Sequence, residues 1–334
     1  MPQLARARPP YAGQSLENMK VERDQPDVPL SEKVVPSYAP AHPNRLDTVI
    51  RRAKIAVFVG MGIALAVGLW GHARWSHNVQ TFVYALEAAT LPVPQRPGRF
   101  YEEQLATLPP VVQRYFAKVL TPNQPLVHRV YLEQTGTFNR SFQQPQWDTF
   151  TARQRIATAR PGFVWDAAIS MGPGIDVRVV DAYVAGAGTL QPSVLGLVDL
   201  AGQQGGADIA RGELMRYLAE AVWYPTALLP GQGVQWTAVD AQSALATLTD
   251  GALTVALTFH FDAQGWVQRI TSDARSAMVD GTLVPMPWEA VVSDYQLRDG
   301  MWVPLQAEVA WTPASGRVPY WRGKIEKIDY ELPR

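Results

Sequence analysis

Between Ile55 and Trp70 the chain reads IAVFVGMGIALAVGLW, sixteen residues without a charge. A bilayer-spanning helix needs about 20 apolar residues. Lys54 and Arg74 can carry their charged heads outward along apolar stems, which extends the usable run to Ala53–Ala73. Trp70 and Trp75 stand at one end of it, where interfacial aromatic rings belong. The pattern therefore predicts one transmembrane helix over 53–75, which Asn78–Ala89 can prolong. A helical linker over 76–124 follows. Within it, Leu91–Gly98 is a stiff segment with three prolines in eight residues. Phe100–Leu108 and Pro110–Leu120 read as two short helices, and Val111, Val112, Tyr115, Phe116 and Val119 share one face of the second.

From Gln124 the hydrophobic period changes to two. Strand-like runs occur at 127–132, 146–159, 162–171, 174–185 and 188–197, and again at 233–240, 243–250, 252–262, 265–275, 286–297, 301–312 and 317–331. Turn signals such as Pro173-Gly174, Asp250-Gly251, Asp280-Gly281 and Asp299-Gly300 separate them. About twelve strands at this spacing predict a mainly β (α+β) domain over 125–334, a large antiparallel sheet curled into a half-barrel. Strands do not alternate with helices, so a parallel nucleotide-binding sheet is disfavoured. The interruption is Arg211–Leu229, where Leu214, Tyr217, Leu218, Ala221 and Val222 form a helical apolar stripe that Pro225 ends or kinks. Such a helix is expected on the concave side of the sheet.

Composition and charge add an address. The chain has 30 basic and 30 acidic residues among 334, and no cysteine. The missing thiols exclude disulfides, thiolate nucleophiles, Cys-based zinc sites and iron–sulfur clusters. A pI near 7 argues against nucleic acid as a partner. Residues 1–44 hold eight prolines and no apolar period, so 1–52 reads as a disordered Pro-rich tail. Arg45, Arg51, Arg52 and Lys54 flank the apolar run on its N-terminal side, against Arg74 on the other. The positive-inside rule then places 1–52 in the cytoplasm and the β-rich domain outside it. The balance of charges thus becomes +4 for residues 1–74 and −4 for the rest. A long polar leader and the lack of an A-x-A site argue for a signal anchor rather than a cleaved signal.

Candidate chemistry is sparse. Glu213, Arg216 and Glu220 fall at i, i+3 and i+7 of the inserted helix, near one face. As an acid/base pair the two carboxylates would serve a hydrolase. Their backbones, however, lie about 10.5 Å apart along a helix, which is wide for a glycosidase pair at roughly 5–9.5 Å. An ion network pinning the helix against the sheet, or a solvated face, is the stronger expectation. Asp176, Asp181, Asp240 and Asp250 are scattered, and His260 reads as a satisfied sheet residue. No metal-binding histidine spacing, nucleophile motif or phosphate loop occurs, so no metal or cofactor is expected. Ala56, Gly60, Ala64 and Gly68 recur every four residues, a small-residue face suited to packing against another membrane helix. Nine tryptophans follow residue 76 (147, 165, 223, 236, 266, 288, 302, 311 and 321). They are core packing or the lining of an apolar groove.

Arg114–Leu120 (RYFAKVL), Pro161–Ala167 (PGFVWDA), Asp181-Ala-Tyr183, Gly212–Pro230 (GELMRYLAEAVWYPTALLP) and Pro319–Gly323 (PYWRG) together resemble a bacterial domain family of unknown function. The likeness covers about residues 105–331 and is most specific in the helix motif; it implies no catalytic residues. The curled sheet with an inserted helix is also similar in architecture to bacterial lipoprotein carriers. These observations lead us to expect a single-pass protein of the bacterial inner membrane with a periplasmic β domain. Its first expected role is a non-enzymatic scaffold subunit of a larger membrane complex, energy-converting or photosynthetic assemblies included. Its partners would be the bilayer and membrane proteins met through the helix and tail. A carrier of lipid or another apolar ligand, and a hydrolase using Glu213 or Glu220, are the alternatives. A deep apolar cavity lined by several tryptophans favours the carrier, whereas a filled sheet interior favours the scaffold.

Overall fold

The computed structural model describes residues 44–90, 98–141, 143–279 and 282–332. The Pro-rich tail up to residue 43 and the linker 91–97 lie outside them. The chain divides into two compact units, Met1–Val57 and Phe58–Arg334. Described residues of the first unit are the entry to helix α1 (Arg45–Thr90).

The second unit is built on one antiparallel sheet. Its first strands are β1 (Arg129–Asn139), β2 (Trp147–Ala157), β3 (Gly162–Ser170), β4 (Asp176–Val184), β5 (Ala187–Val194) and the two-residue β6 (Val198–Asp199) and β7 (Gln203–Gln204). After helix α3 (Ala207–Glu220) come β8 (Val234–Asp240), β9 (Ser243–Asp250), β10 (Leu253–Phe261), β11 (Val267–Val279), β12 (Thr282–Arg298), β13 (Met301–Trp311) and β14 (Val318–Glu331). Helix α2 (Pro110–Val119) precedes them all. The sheet runs β6-β5-β4-β3-β2-β1-β14-β13-β12-β11-β10-β9-β8, with β7 beside β5. Fourteen strands replace the expected twelve or so; the surplus includes β6 and β7, too short for a hydrophobic period to reveal.

The sheet curls because α3 touches both of its flanks. Gly188 on β5 approaches the α3 backbone so closely that a Cβ there would sit 2.8 Å from Ala210 N. On the other flank, Arg211 donates to Thr254 O of β10 at 3.1 Å, and Arg275 of β11 donates to Gly212 O at 3.2 Å. The flanks also meet directly, through Tyr183 of β4 donating to Asp250 of β9 at 2.9 Å. The inserted helix starts earlier than expected and ends earlier. Beyond Glu220 the chain passes into 3-10 turns at Ala221–Trp223, Pro225–Leu228 and Pro230–Gln232. Pro225 and Pro230 lack the N–H a helix would use and force the preceding residue out of helical geometry, as Tyr224 shows at φ −140°. The helix expected over Phe100–Leu108 is likewise reduced to one 3-10 turn, Glu102–Leu105. Phe100 is held extended instead, its N–H donating to Gln124 O at 2.8 Å.

Strands β3 and β4 are buried on both faces, which explains the apolar run GFVWDAAI, interrupted at Asp166 alone. Phe163, Trp165, Ala167 and Ile169 join the main core, while Val164, Val180 and Ala182 turn outward beneath α1. Trp75, Val83 and Leu86 of α1 cover them. Among the described residues α1 is the one helix long and apolar enough to cross a membrane, and Asn78–Ala89 continues it without a break. Its character changes at Gly71. Phe58–Trp70 is exposed on every side, whereas Gly71 lies so near the β5–β6 turn that a Cβ would come within 2.5 Å of Leu195 O.

Two interface expectations are corrected here. Trp75 does not sit free at a membrane surface: it is 2% exposed, and its Nε1 donates to Asp166 Oδ1 at 2.8 Å. Arg74 does not run outward along the helix but forms an ion pair with Asp199 at 2.6 Å and donates to Gly196 O at 2.8 Å. A protein surface rather than solvent meets the helix at that height.

Candidate functional site

Aromatic packing fills the inside of the sheet near α2. Phe116 lies against Trp236 at 6.3 Å and Trp236 against Phe259 at 5.1 Å, and Tyr115 meets Phe261 at 5.7 Å. Beside α3 the inside is hollow. A cavity of about 580 Å³ opens there, within the usual range for small-molecule sites. Its walls are aliphatic and aromatic: Ile169, Val179, Leu190, Val292 and Val309, with Trp165, Trp223, Trp288, Trp311 and Trp321. Five of the nine tryptophans thus line a groove. Trp236, Trp266 and Trp302 pack with other rings instead, and Arg322 covers the Trp147 ring at 4.3 Å.

The floor is charged, and here the helix spacing matters. Glu213, Arg216 and Glu220 all line the cavity. Arg216 donates through Nε to Glu220 at 2.7 Å and through Nη1 to Asp181 on β4 at 2.5 Å. The guanidinium lies over the rings of Phe163 at 4.8 Å and Trp165 at 5.0 Å. Burial opposes its charge, but Glu220, Asp181 and Glu213 outweigh that and hold its proton firmly. The network continues along β2 and β1. Gln154 donates to Glu220 Oε2 at 2.6 Å, Gln134 to Gln154 at 3.4 Å, and Trp165 Nε1 to Gln134 Oε1 at 2.8 Å.

Arg275 forms a second cationic point. It donates to Tyr320 Oη at 3.0 Å and lies over Trp288 at 5.2 Å and Trp311 at 5.7 Å. Trp288 Nε1 donates to the same hydroxyl at 3.0 Å. Around the cavity, Trp223 Nε1 and Arg275 Nε are buried without a hydrogen-bond partner, while the Glu213 and Asp181 carboxyls neighbour each other closely enough for one proton to bridge them. Native interiors rarely leave such groups unmatched. Burial, and then the neighbouring Asp181, push the Glu213 carboxyl well above the usual glutamate range, against the pull of Arg275 and Arg216. When it holds that proton, Glu213 has an O–H that the Asp181 carboxylate can accept.

The ion network expected from Glu213, Arg216 and Glu220 therefore exists, though Glu220 alone of the two carboxylates pairs with Arg216. Asp181 and Arg275 join from distant strands, and spacing along the chain did not connect them to α3. The signal for Asp181 was present: a carboxylate inside the apolar strand RVVDAYV must find a partner or become neutral. Asp250 is held by Arg160 at 3.1 Å and by Tyr183. His260 meets Thr271 at 2.9 Å, as a sheet residue should. Among the described residues, no group of three or more His, Asp or Glu is placed to hold a metal ion. Ala56, Gly60, Ala64 and Gly68 lie on exposed helix, and nothing comes within 4 Å of a Cβ at Gly60 or Gly68.

The fold and site define a curled, mainly β domain with an inner apolar cavity and an N-terminal apolar helix. Residues 106–330 match a family of unknown function (DUF6920), and the chain belongs to that family. Comparison with curated proteins finds no match. Among solved structures, the chain is similar to a DUF1329 family protein from Desulfovibrio piger at 8% identity and a TM-score of 0.32, over 62% of this chain and 88% of that one. It is also similar to a LolA superfamily protein, NE2245 from Nitrosomonas europaea, at 12% identity and a TM-score of 0.29, over 67% of this chain and 93% of that one.

Proposed function

We propose that this protein is a membrane-anchored binder or carrier of a lipid or another apolar ligand, which it holds inside the curled sheet. The observation that carries this reading is the cavity, apolar on its walls and with the polar side chains of Glu213, Arg216, Glu220 and Arg275 among its lining. Apolar walls take up hydrocarbon by removing it from water, and a few placed polar atoms set its orientation. Helix α1 anchors the domain, with the N-terminal tail in the cytoplasm and the β domain on the periplasmic side of a bacterial inner membrane; the basic cluster before the helix supports that orientation.

The test is binding of 11-(dansylamino)undecanoic acid to the full-length protein in mild detergent, read by energy transfer from the tryptophans. Transfer that saturates and is competed by monoacylglycerol supports the reading. Absence of saturable transfer, with no co-purifying lipid by mass spectrometry, overturns it.

A scaffold role has one observation in its favour, the open face at Ala56, Gly60, Ala64 and Gly68. Replacing Gly60 and Gly68 with isoleucine should dissociate a native membrane complex in mild detergent if that face packs on a partner helix. An unchanged assembly removes this role.

A further inference from the structure

The place where α1 changes from exposed to docked adjoins the strand ends that line one side of the cavity. Antiparallel register puts the β1–β2, β3–β4 and β5–β6 connections at one end of their strands, since Asn139 pairs with Trp147, Ser170 with Asp176, and Val194 with Val198. At that end Arg140, Met171 and Leu200 line the cavity. The β5–β6 turn is also what α1 grips, through Gly71 against Leu195 and Arg74 on Gly196 and Asp199. The grip begins at Gly71, one residue after Trp70 and within the last turn of the uncharged run that ends at Ala73. The rim therefore lies within a helical turn of the end of the apolar span.

Among the charged residues of this rim stands an exposed apolar cluster. Val198 is 62% exposed, Ile175 49%, Leu200 44% and Leu195 40%. Leu195 N–H donates to Asp176 O at 2.9 Å, which places the Ile175 turn beside the Leu195 turn. Single exposed apolar residues are ordinary, but a cluster that includes a cavity-lining residue, Leu200, and stands beside a membrane-length helix is not.

We propose that this rim is immersed in the bilayer surface, so that the cavity opens onto the membrane and exchanges its ligand with the lipid leaflet. The inference rests on the reading of α1 as a membrane anchor and of the cavity as a ligand site. Leu195, Val198 and Ile175 dip among the acyl chains next to α1. Leu200 belongs to both the rim and the cavity wall, which gives an apolar molecule a continuous path from leaflet to pocket without crossing water.

The chain has no cysteine, so single-cysteine labelling is unambiguous. Val198→Cys, Ile175→Cys and, as control, Leu297→Cys would each carry an NBD fluorophore in full-length protein reconstituted into phosphatidylcholine vesicles. Leu297 is equally apolar and 50% exposed, but lies near the β12–β13 turn, away from the rim. Labels at 198 and 175 should emit to the blue of the label at 297 and be quenched by 5-doxyl phosphatidylcholine, while the label at 297 is not. Equal emission and equal quenching at all three positions overturn the immersed rim.

A second variant separates this from the underlying readings. Val198→Asp with Ile175→Asp, two exposed rim residues outside the cavity wall, should stay with the membrane through alkaline extraction and still bind the dansyl fatty acid in detergent. Its uptake of that probe from vesicles should fall about tenfold or more. Unchanged uptake overturns the rim alone, whereas failure of the wild-type protein to bind the probe in detergent overturns the cavity reading.

Discussion

The two ends of the sheet interior use the same kinds of residue to opposite effect. Beside α2, Tyr115, Phe116, Trp236, Phe259 and Phe261 interlock and leave no room. Beside α3, Trp165, Trp288, Trp311 and Trp321 face about 580 Å³ of open space. The difference lies in what stands opposite. Helix α2 offers five buried apolar side chains to the sheet. Helix α3 offers Glu213, Arg216 and Glu220 to the cavity, and charged groups held in a network cannot collapse onto indole rings as leucines would. Aromatic content alone therefore does not tell a filled core from a hollow one.

The largest effect that tests this comparison is truncation at the filled end. Phe259→Ala should lower stability by about 3–5 kcal/mol in chemical denaturation, because rigid neighbours cannot close over the lost ring. A loss below about 1 kcal/mol would mean that this end is not tightly packed. Arg216→Met should come next, at about 3–5 kcal/mol or somewhat less, because it leaves Asp181 and Glu220 without their cation in a mostly buried place. Near-wild-type stability would show that the network does not pin α3.

Enlargement should divide the two ends most clearly. Ala246→Phe, in the filled core, should cost about 1–3 kcal/mol or more, whereas Ala290→Phe, on the cavity wall, should change stability by less than about 1 kcal/mol. The second variant should nevertheless lose binding of the dansyl fatty acid. If both variants are equally destabilised, the cavity does not persist in solution.

The smallest effect is in pH dependence. Glu213 holds its proton more tightly folded than unfolded, because burial and Asp181 outweigh Arg275 and Arg216. Its contribution to stability is therefore present below the ordinary glutamate range and is lost as pH rises through the raised folded value. Glu213→Gln should flatten that decline and melt higher than wild type at neutral pH. A Glu213→Gln melting curve parallel to wild type from pH 4 to 8 would contradict the raised value. Asp181, Arg216, Glu220 and Arg275 surround this group, so the comparison is cleanest with all four intact.

Much of the fold was legible in the chain, for local reasons. Strands from Arg129 onward betray themselves by alternation because one face meets water, and α2 by a one-sided apolar stripe. The boundaries of α3 are not legible locally, because an apolar stripe continues into the 3-10 turns that Pro225 and Pro230 impose. The pattern around Trp75 is that of an interfacial ring, and nothing local announces Asp166, 91 residues away. Of the candidate site, the three charges on α3 were legible. Asp181 and Arg275 were not, since pairing across a curled sheet has no signature in spacing.

The sequence by itself determined a helix of membrane length, an antiparallel sheet with one inserted helix, and the exclusion of thiol chemistry. These follow from hydrophobic period, turn residues and composition, which act over a few neighbours. The tertiary structure decided that α1 changes from exposed to docked at Gly71, and that the charged face of α3 looks into unfilled space. A cavity is volume that packed elements fail to fill. It depends on how distant surfaces fit each other, and no single stretch of residues encodes that fit.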